Sequence, residues 1–468
     1  MKNTTKIISL LLLPILFTNC FDDLDDSPVS KTDINDFVYR GMNSYYLYRE
    51  NVNDLTENKQ NNADYNDYLN SFSDPIDFFE NLIYNRETVD RFSVITSDYL
   101  AFEQLLQGTT VSNGMEFGLL RYIEGGNDIF GYVRYVLPST SAESANLKRG
   151  DLFYAVNGTP LTIDNWRGLL GQNSYALNLA TYNDNGTPTT DDDSIDSTNE
   201  TVSLNKVPYT ENPVFKTKIL QVESQNVGYL MYNGFTSNFD NELINAFGYF
   251  QANNVQHLVI DLRYNPGGSV NSATLLGSLV AGEPEGEPFV KLQYNNLHQG
   301  DNSTYNFTNQ GNSLNLNKVY ILATKSSASA SELLINSLNA YLDDVIHIGT
   351  NTTGKSQASI TLYDSPDFRR TNADPRHTYA MQPLVAISVN KNNEVVPADG
   401  LIPNIPLAEE INNLGILGDE NEPLLAEALA HIASTNRVST QLPSKPIKIV
   451  GDSNDLIPFK KGMYLDNK

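Results

Sequence analysis

The stretch Ala323–Leu334, ATKSSASASELL, decides the fold. It follows a strand-like apolar run, Val319-Tyr320-Ile321-Leu322-Ala323, and opens at Glu332 into a helix-like apolar run. Small residues and serines between the two predict a tight strand-to-helix turn. At such a turn, backbone N–H groups and the positive end of the helix favour negative charge. A serine there is placed to act as a nucleophile. Serines before a helix also serve as plain caps, and Ser331 alone reads that way.

Two further segments bear on this choice. Thr353-Gly354-Lys355 lies beyond the helix and the next strand. A lysine arriving there can be the base for the serine, the Ser-Lys form of nucleophilic catalysis that needs no histidine. Taken singly, a Gly-Lys pair after a strand is an ordinary turn. The other segment, Asp261-Leu262-Arg263-Tyr264-Asn265-Pro266-Gly267-Gly268, follows the apolar strand Leu258-Val259-Ile260. An Asn-Pro-Gly-Gly turn exposes backbone N–H groups without Cβ obstruction. Exposed N–H groups are what an oxyanion hole requires.

Together the three segments resemble the carboxyl-terminal processing, or tail-specific, serine proteases. That family carries a D-L-R-x-N-P-G-G strand end, an S-A-S-A-S-E nucleophile loop and a G-K turn. The resemblance implies that Ser329 is the nucleophile and Lys355 the general base. It implies oxyanion donors from the backbone of Gly267 or Gly268 and of Ala330. The family often has a glutamine where Ser359 stands here, and the nearby glutamine is Gln357, so both are candidates for orienting the lysine. An acidic residue is often found at the place of Ala340; here Asp343 and Asp344 lie just beyond. The implied fold class is α/β, in a mixed α+β multidomain chain: an N-terminal helical domain, a PDZ-like β module, and a catalytic domain of the tail-specific protease (ClpP/crotonase-like) type.

The 468 residues suffice for several domains, and a 40% hydrophobic content can build real cores. The formal charge of −25, from 31 basic and 56 acidic residues, argues against nucleic acid and anionic lipid surfaces as partners. The single cysteine, Cys20, excludes internal disulfides and thiolate metal clusters. The five histidines show no ligand spacing, so neither a metal nor any other cofactor is expected.

Residues 1–19 read as a signal peptide: Lys2 and Lys6 precede the apolar run Ile7–Phe17, which is too short for a spanning helix. Cys20 directly follows, with Asn19 before it. This resembles the bacterial lipoprotein arrangement, in which the cysteine is acylated. The acidic run Phe21–Ser27 reads as a tether and resembles export signals of Bacteroidetes surface lipoproteins. The expected location is therefore the bacterial cell envelope, lipid-anchored at the outer membrane, with the acidic run pointing to its outer surface.

The expected organisation is signal 1–19, acidic tether 20–31, helical domain 32–107, PDZ-like domain 108–210, protease domain 211–440 and C-terminal tail 441–468. Ile34, Phe37, Val38, Met42, Tyr45 and Tyr46 recur at helical spacing, and Asp74-Pro75 marks a helix start. Phe117–Leu120, Gly131–Val136, Gly150-Asp151 and Val156-Asn157-Gly158 follow in the order of a bacterial PDZ domain, which captures a peptide as an added strand. Asn157-Gly158 is itself a hairpin signal. Residues 182–201, polar and acidic, read as a mobile surface loop, and the tail after Gln441 as loosely docked, without a role.

The expected function is a Ser-Lys serine endopeptidase acting on peptide or protein substrates, with C-terminal segments selected through the PDZ groove. The rival is a non-catalytic peptide-binding lipoprotein with a degenerate protease domain; a carbohydrate-binding lipoprotein has no motif in its favour. Oligomeric state stays open.

Overall fold

The computed structural model describes residues 28–122, 126–187, 192–282, 286–433, 449–457, 459–460 and 462–466. The signal-like stretch, Cys20 and the acidic run Phe21–Ser27 lie outside them. No helix among the described residues is long and apolar enough to cross a membrane.

Helix α1, Lys31–Tyr45, begins at a capping box in which Ser30 and Asp33 each satisfy the other's backbone N–H. Its stripe of Phe37, Val38 and Met42 is fully buried, each side chain worth roughly 1.5–3 kcal/mol on burial. It packs on α2, Pro75–Asn81. There Asp74 caps the Ile76 N–H and Pro75 fills a first-turn position, as the sequence predicts. Helix α3, Tyr99–Leu106, closes this unit.

The next unit is a mostly antiparallel sheet. Its strands are β1, Met115–Arg121; β2, Ile129–Val136; β3, Leu152–Val156; β4, Ser174–Asn183; and β5, Ser194–Asn205. Helix α4, Trp166–Gly171, packs its buried Trp166 and Leu170 into the core of this sheet. After β3 the chain turns through Asn157 (φ 51°) and Gly158 (φ 77°), and Val156 pairs with Thr159. Two left-handed residues are what a two-residue hairpin demands. Within 182–201, Tyr182-Asn183 and the residues from Ser194 onward are strand, not the expected loop. Strands β4 and β5 pair through Tyr182–Ile195 and Asn183–Ser194. Few apolar residues here pack inward, Tyr182 and Ile195 among them, so the alternation by which a strand is read is weak, while the backbone ladder forms all the same.

The third unit holds the candidate chemistry. Strands β6 (Val214–Val222), β7 (Gln225–Tyr232) and β8 (His257–Asp261) precede the glycine turn, whose Gly268–Ser269 is β9. Then come β10 (Pro288–Tyr294), β11 (Ser303–Asn306), β12 (Lys318–Ala323), β13 (Asp344–Gly349), β14 (Gln357–Ser359), β15 (Leu384–Val389) and β16 (Ile405–Pro406). One sheet runs β6-β7-β8-β12-β13-β16 and is parallel except for the first pair. Helices α5 (Asp240–Ala252), α6 (Val270–Ala281) and α7 (Ala330–Leu338) cover one face, and α8 (Pro423–Ile432) the other. Side chains alternate accordingly. Leu258, Ile260 and Ile321 enter the first core, while Val259, Tyr320 and Leu322 enter the second. Parallel strands β7, β8, β12 and β13 all end at one edge, where such sheets carry their sites.

From Ile449 on, the tail is not loosely docked. Ile449–Asp452 forms β17 on the edge of the second unit's sheet, antiparallel to β1. Met463-Tyr464 forms β18 between β9 and β14. The resulting sheet order is β9-β18-β14-β15-β10-β11. Met463 is fully buried.

Candidate active site

The D-L-R strand end is an anchoring device. Asp261 and Arg263 are fully buried partners, 2.8 Å apart. Arg263 also grips Glu422, at the start of α8, through two bonds of 2.6 and 2.9 Å. This fixes the carboxyl edge of β8 to the helix below it. Arg149 of the β1–β5 unit reaches the same network, meeting Tyr264 Oη at 2.7 Å and Glu409 at 2.6 Å.

The serine loop is stitched to the glycine turn. Thr324 Oγ1 donates to Arg263 O, and Ser327 Oγ to Leu262 O at 2.7 Å. Asn265 O accepts from Ala328 N at 3.1 Å and Ser331 Oγ at 3.0 Å. Ser331 is therefore not the cap that a reading of that serine alone suggests. The N-cap of α7 is Ser329. Its backbone sits at φ 63°, ψ −114°, a conformation costing of order 1–3 kcal/mol for a residue with a Cβ. The turn points Ser329 Oγ into the protein. That oxygen is buried and has no hydrogen-bond partner among the described residues.

Glu332 joins this serine to the lysine. Its Oε2 accepts from Ser329 N at 2.8 Å and from Lys355 N at 2.9 Å. Its Oε1 accepts from Gly354 N at 2.6 Å and from Thr352 Oγ1. The two turns thus share one carboxylate oxygen. Burial pushes the Glu332 pKa up, and the four donors pull it back. Sequence reading passed over Glu332, although Ser329-x-x-Glu332 has the form of a capping box.

Lys355 is fully buried. Burial lowers its pKa to about 7, with the charges of Asp90 and Glu332 opposing and that of Arg91 assisting. Its Nζ lies 4.7 Å from the Phe92 ring centroid and 5.1 Å from that of Phe459. Arg91 donates to Gly354 O at 2.8 Å. The helical first unit therefore contributes directly to the surroundings of the lysine, through residues with no sequence signal.

Gly267 faces the serine: a Cβ there would meet Ser329 Cβ at 2.7 Å, and its φ is +114°. Its N–H donates to Asn265 Oδ1 at 2.9 Å. Gly268 faces Phe235 O instead, which a Cβ would meet at 2.1 Å. Ala330 is the first residue of α7, where a helix leaves its N–H without an intrahelical acceptor. Gln357 turns away to Tyr48, donating from Nε2 at 3.1 Å. Ser359 Oγ is buried without a partner among the described residues. Asp344 pairs with Lys318 at 3.2 Å and Asp343 bonds Asn317. Both sit at the amino ends of β12 and β13, opposite the edge that bears Ser329. The acids near the lysine are Glu332 and Asp90.

The sequence model of Peptidase family S41 matches residues 226–371, and that of the Peptidase S41 N-terminal domain matches residues 33–94. A carboxyl-terminal-processing protease of Picosynechococcus sp. is 25% identical over 287 residues, 61% of this chain and 59% of that protein. The carboxy-terminal processing protease CtpB of Bacillus subtilis is 27% identical over 205 residues, 41% of this chain and 40% of that one. The chain thus spans less than two thirds of the curated relatives it matches. A solved structure from Bacteroides fragilis assigned to the S41 proteases superposes with a TM-score of 0.66 at 25% identity, covering 85% of this chain and 97% of the other. The photosystem II D1 C-terminal processing protease shares the fold, with a TM-score of 0.51 at 18% identity, over 86% of this chain and 99% of that one. The two sequence models fall, in order, on the helical unit that walls the lysine and on the sheet that carries Ser329 and Lys355, so both regions of the chain match peptidase family S41.

Proposed function

We propose that this protein is a serine endopeptidase of Ser-Lys type, with Ser329 as nucleophile and Lys355 as general base. The observation that carries the reading is the burial of Lys355, which lowers its pKa to about 7. At neutral pH much of it is neutral and can take a proton, whereas a lysine at about 10.4 is almost wholly charged. Glu332 holds its turn beside that of Ser329.

In this mechanism Ser329 Oγ attacks the scissile carbonyl and passes its proton to Lys355 Nζ. The developing oxyanion is received by the amide of Ala330 and by the glycine turn, where the Gly267 N–H exchanges its bond to Asn265 for one to substrate. Lys355 then protonates the departing amine. Water, deprotonated by the same lysine, releases the acyl group. Substrates are peptides or proteins, with C-terminal segments read by the β1–β5 unit through strand addition in place of β17 on the β1 edge. The signal-like stretch, Cys20 and the acidic run after it support export and a lipid anchor at the cell envelope.

A biotinylated fluorophosphonate tests the chemistry, since only an activated serine reacts. The wild-type chain is expected to be labelled, and Ser329→Ala and Lys355→Ala are not. A folded wild-type chain that takes no label is a peptide-binding protein instead.

A further inference from the structure

The segment Ile449–Asp466 crosses both places where a substrate would lie. Strand β17 fills the β1 edge, pairing Gly451 with Leu119 and Asp452 with Gly118, and Gly451 lies against Trp166 of α4. It therefore runs between strand and helix in the second unit, the groove in which a PDZ-like fold receives a peptide. Asp452 then pairs with buried Arg134 at 3.0 Å, and both bond Ser326 in the serine loop.

Further along, the contacts are with the site itself. The Phe459 ring lies 5.1 Å from Lys355 Nζ and 5.5 Å from the Phe102 ring. Gly462 O and Ser329 Cβ flank the same α-carbon: a Cβ on Gly267 would meet the one at 2.8 Å and the other at 2.7 Å. Met463 and Tyr464 pair in parallel with Gly268 and Ser269. Tyr464 also pairs with Ser359, and Leu465 N donates to Ser359 O at 3.2 Å. The far end is held by Asp466, which accepts from Ser269 Oγ, Ser237 Oγ (3.0 Å) and Asn271 Nδ2 (2.8 Å). Leu465 and Asp466 there line a cleft of about 1010 Å³, with Tyr294, Tyr305 and Phe368 on its walls.

We infer that Phe459 and residues 462–466 occupy, in cis, the strand position of a peptide substrate, and that substrate enters when they withdraw. This rests on the Ser-Lys reading of the site. The occupied position also describes what replaces it: an extended peptide with a small residue at the serine, followed by apolar residues like Met463, Tyr464 and Leu465. Backbone pairing on both sides reads extension, and the buried place of Met463 selects an apolar side chain. A tethered occupant competes at an effective concentration on the order of millimolar, so a free peptide at micromolar concentration is largely excluded.

Fluorescence anisotropy of a fluorescein-labelled peptide of residues 459–466 tests this without relying on catalysis. Three proteins are compared: the full chain, the full chain carrying Asp466→Ala, and a chain ending at Ile457. Binding is expected to be at least tenfold tighter to the shortened chain than to the full one, with Asp466→Ala between them. Fluorophosphonate labelling of Ser329 is expected to rise in the same order and to be slowed by the unlabelled peptide. Equal peptide binding by all three, or none by a folded shortened chain, overturns the inference. Should the shortened chain fail to fold by circular dichroism, Asp466→Ala decides, because it removes only a carboxylate at the rim of the cleft. Labelling of Ser329 that is equal throughout leaves the protease reading standing while the inference falls. No labelling in any form defeats the protease reading, and anisotropy then still reports on occupancy by itself.

Discussion

Replacing Lys355 by methionine should remove the base and make the fold more stable. The lysine falls from 10.5 to about 7 because burial disfavours its charge. Between those values the unfolded chain binds the proton and the folded chain does not, so stability rises with pH through this window. Below pH 7 the buried lysine costs the fold on the order of 5 kcal/mol, at pH 7 about 4 kcal/mol, and above pH 10.5 almost nothing. Methionine has a similar length and no charge to desolvate. Lys355→Met should therefore gain about 4 kcal/mol at pH 7 and about 1–2 kcal/mol at pH 9.5. In urea, with a slope of roughly 1–3 kcal/mol/M, the first figure is a midpoint shift of about 1–2 M or more. Urea titrations at the two pH values, run beside fluorophosphonate labelling, give both readouts. Labelling of the wild-type chain should rise from pH 6 to 8 by about tenfold and then level off. A methionine variant that is less stable than wild type, or whose gain does not shrink with pH, refutes the reasoning. So does labelling that keeps climbing tenfold per unit beyond pH 9.

Glu332→Ala strands three backbone N–H groups and the Thr352 hydroxyl, a loss of about 4 kcal/mol or more in urea. It should slow labelling at least about 100-fold although serine and lysine are intact; labelling at the wild-type rate refutes the joining role. Gly267→Ala places a Cβ 2.7 Å from Ser329 Cβ at φ +114°, so labelling should be lost, and a variant labelled normally would show that the turn yields. Ser331→Ala loses one bond to Asn265 O and should cost about 1 kcal/mol in urea while remaining labelled, in contrast to Ser329→Ala. Cys20→Ser should move the protein from the membrane pellet to the soluble fraction, and pelleting after a salt wash would mean that another surface holds it.

The chemistry was legible where the chain is punctuated. The turns after β8 and β12 announce themselves through Asn265-Pro266-Gly267-Gly268 and through the serines and alanines up to Ser331, because few residues tolerate such backbone. Leu258, Val259 and Ile260 disclose a strand buried on both faces. The surroundings of the lysine were not legible. Asp90, Arg91 and Phe92 reach Lys355 from the far side of the sequence, and no local periodicity encodes a docking between units. Met463-Tyr464 is a two-residue strand, too short for any pattern. Strand β5 alternates weakly because only Ile195, Val202 and Leu204 along it pack inward. Asp343 and Asp344 looked like candidates from sequence position alone, but the strand carries them to the opposite edge of the sheet.

The placement of Phe92 and Asp90 against Lys355 bears on when this chain becomes dangerous to its neighbours. The helical unit is synthesised long before the lysine, yet Phe92 covers the lysine only once that unit has docked onto the finished sheet. A chain caught with its sheet formed and its helices undocked would hold the lysine closer to water and more of it charged. Such a chain holds a serine without a base. On the Ser-Lys reading, proteolytic competence is in this way made a property of the completed tertiary structure, and half-folded copies meeting other half-folded proteins are chemically silent.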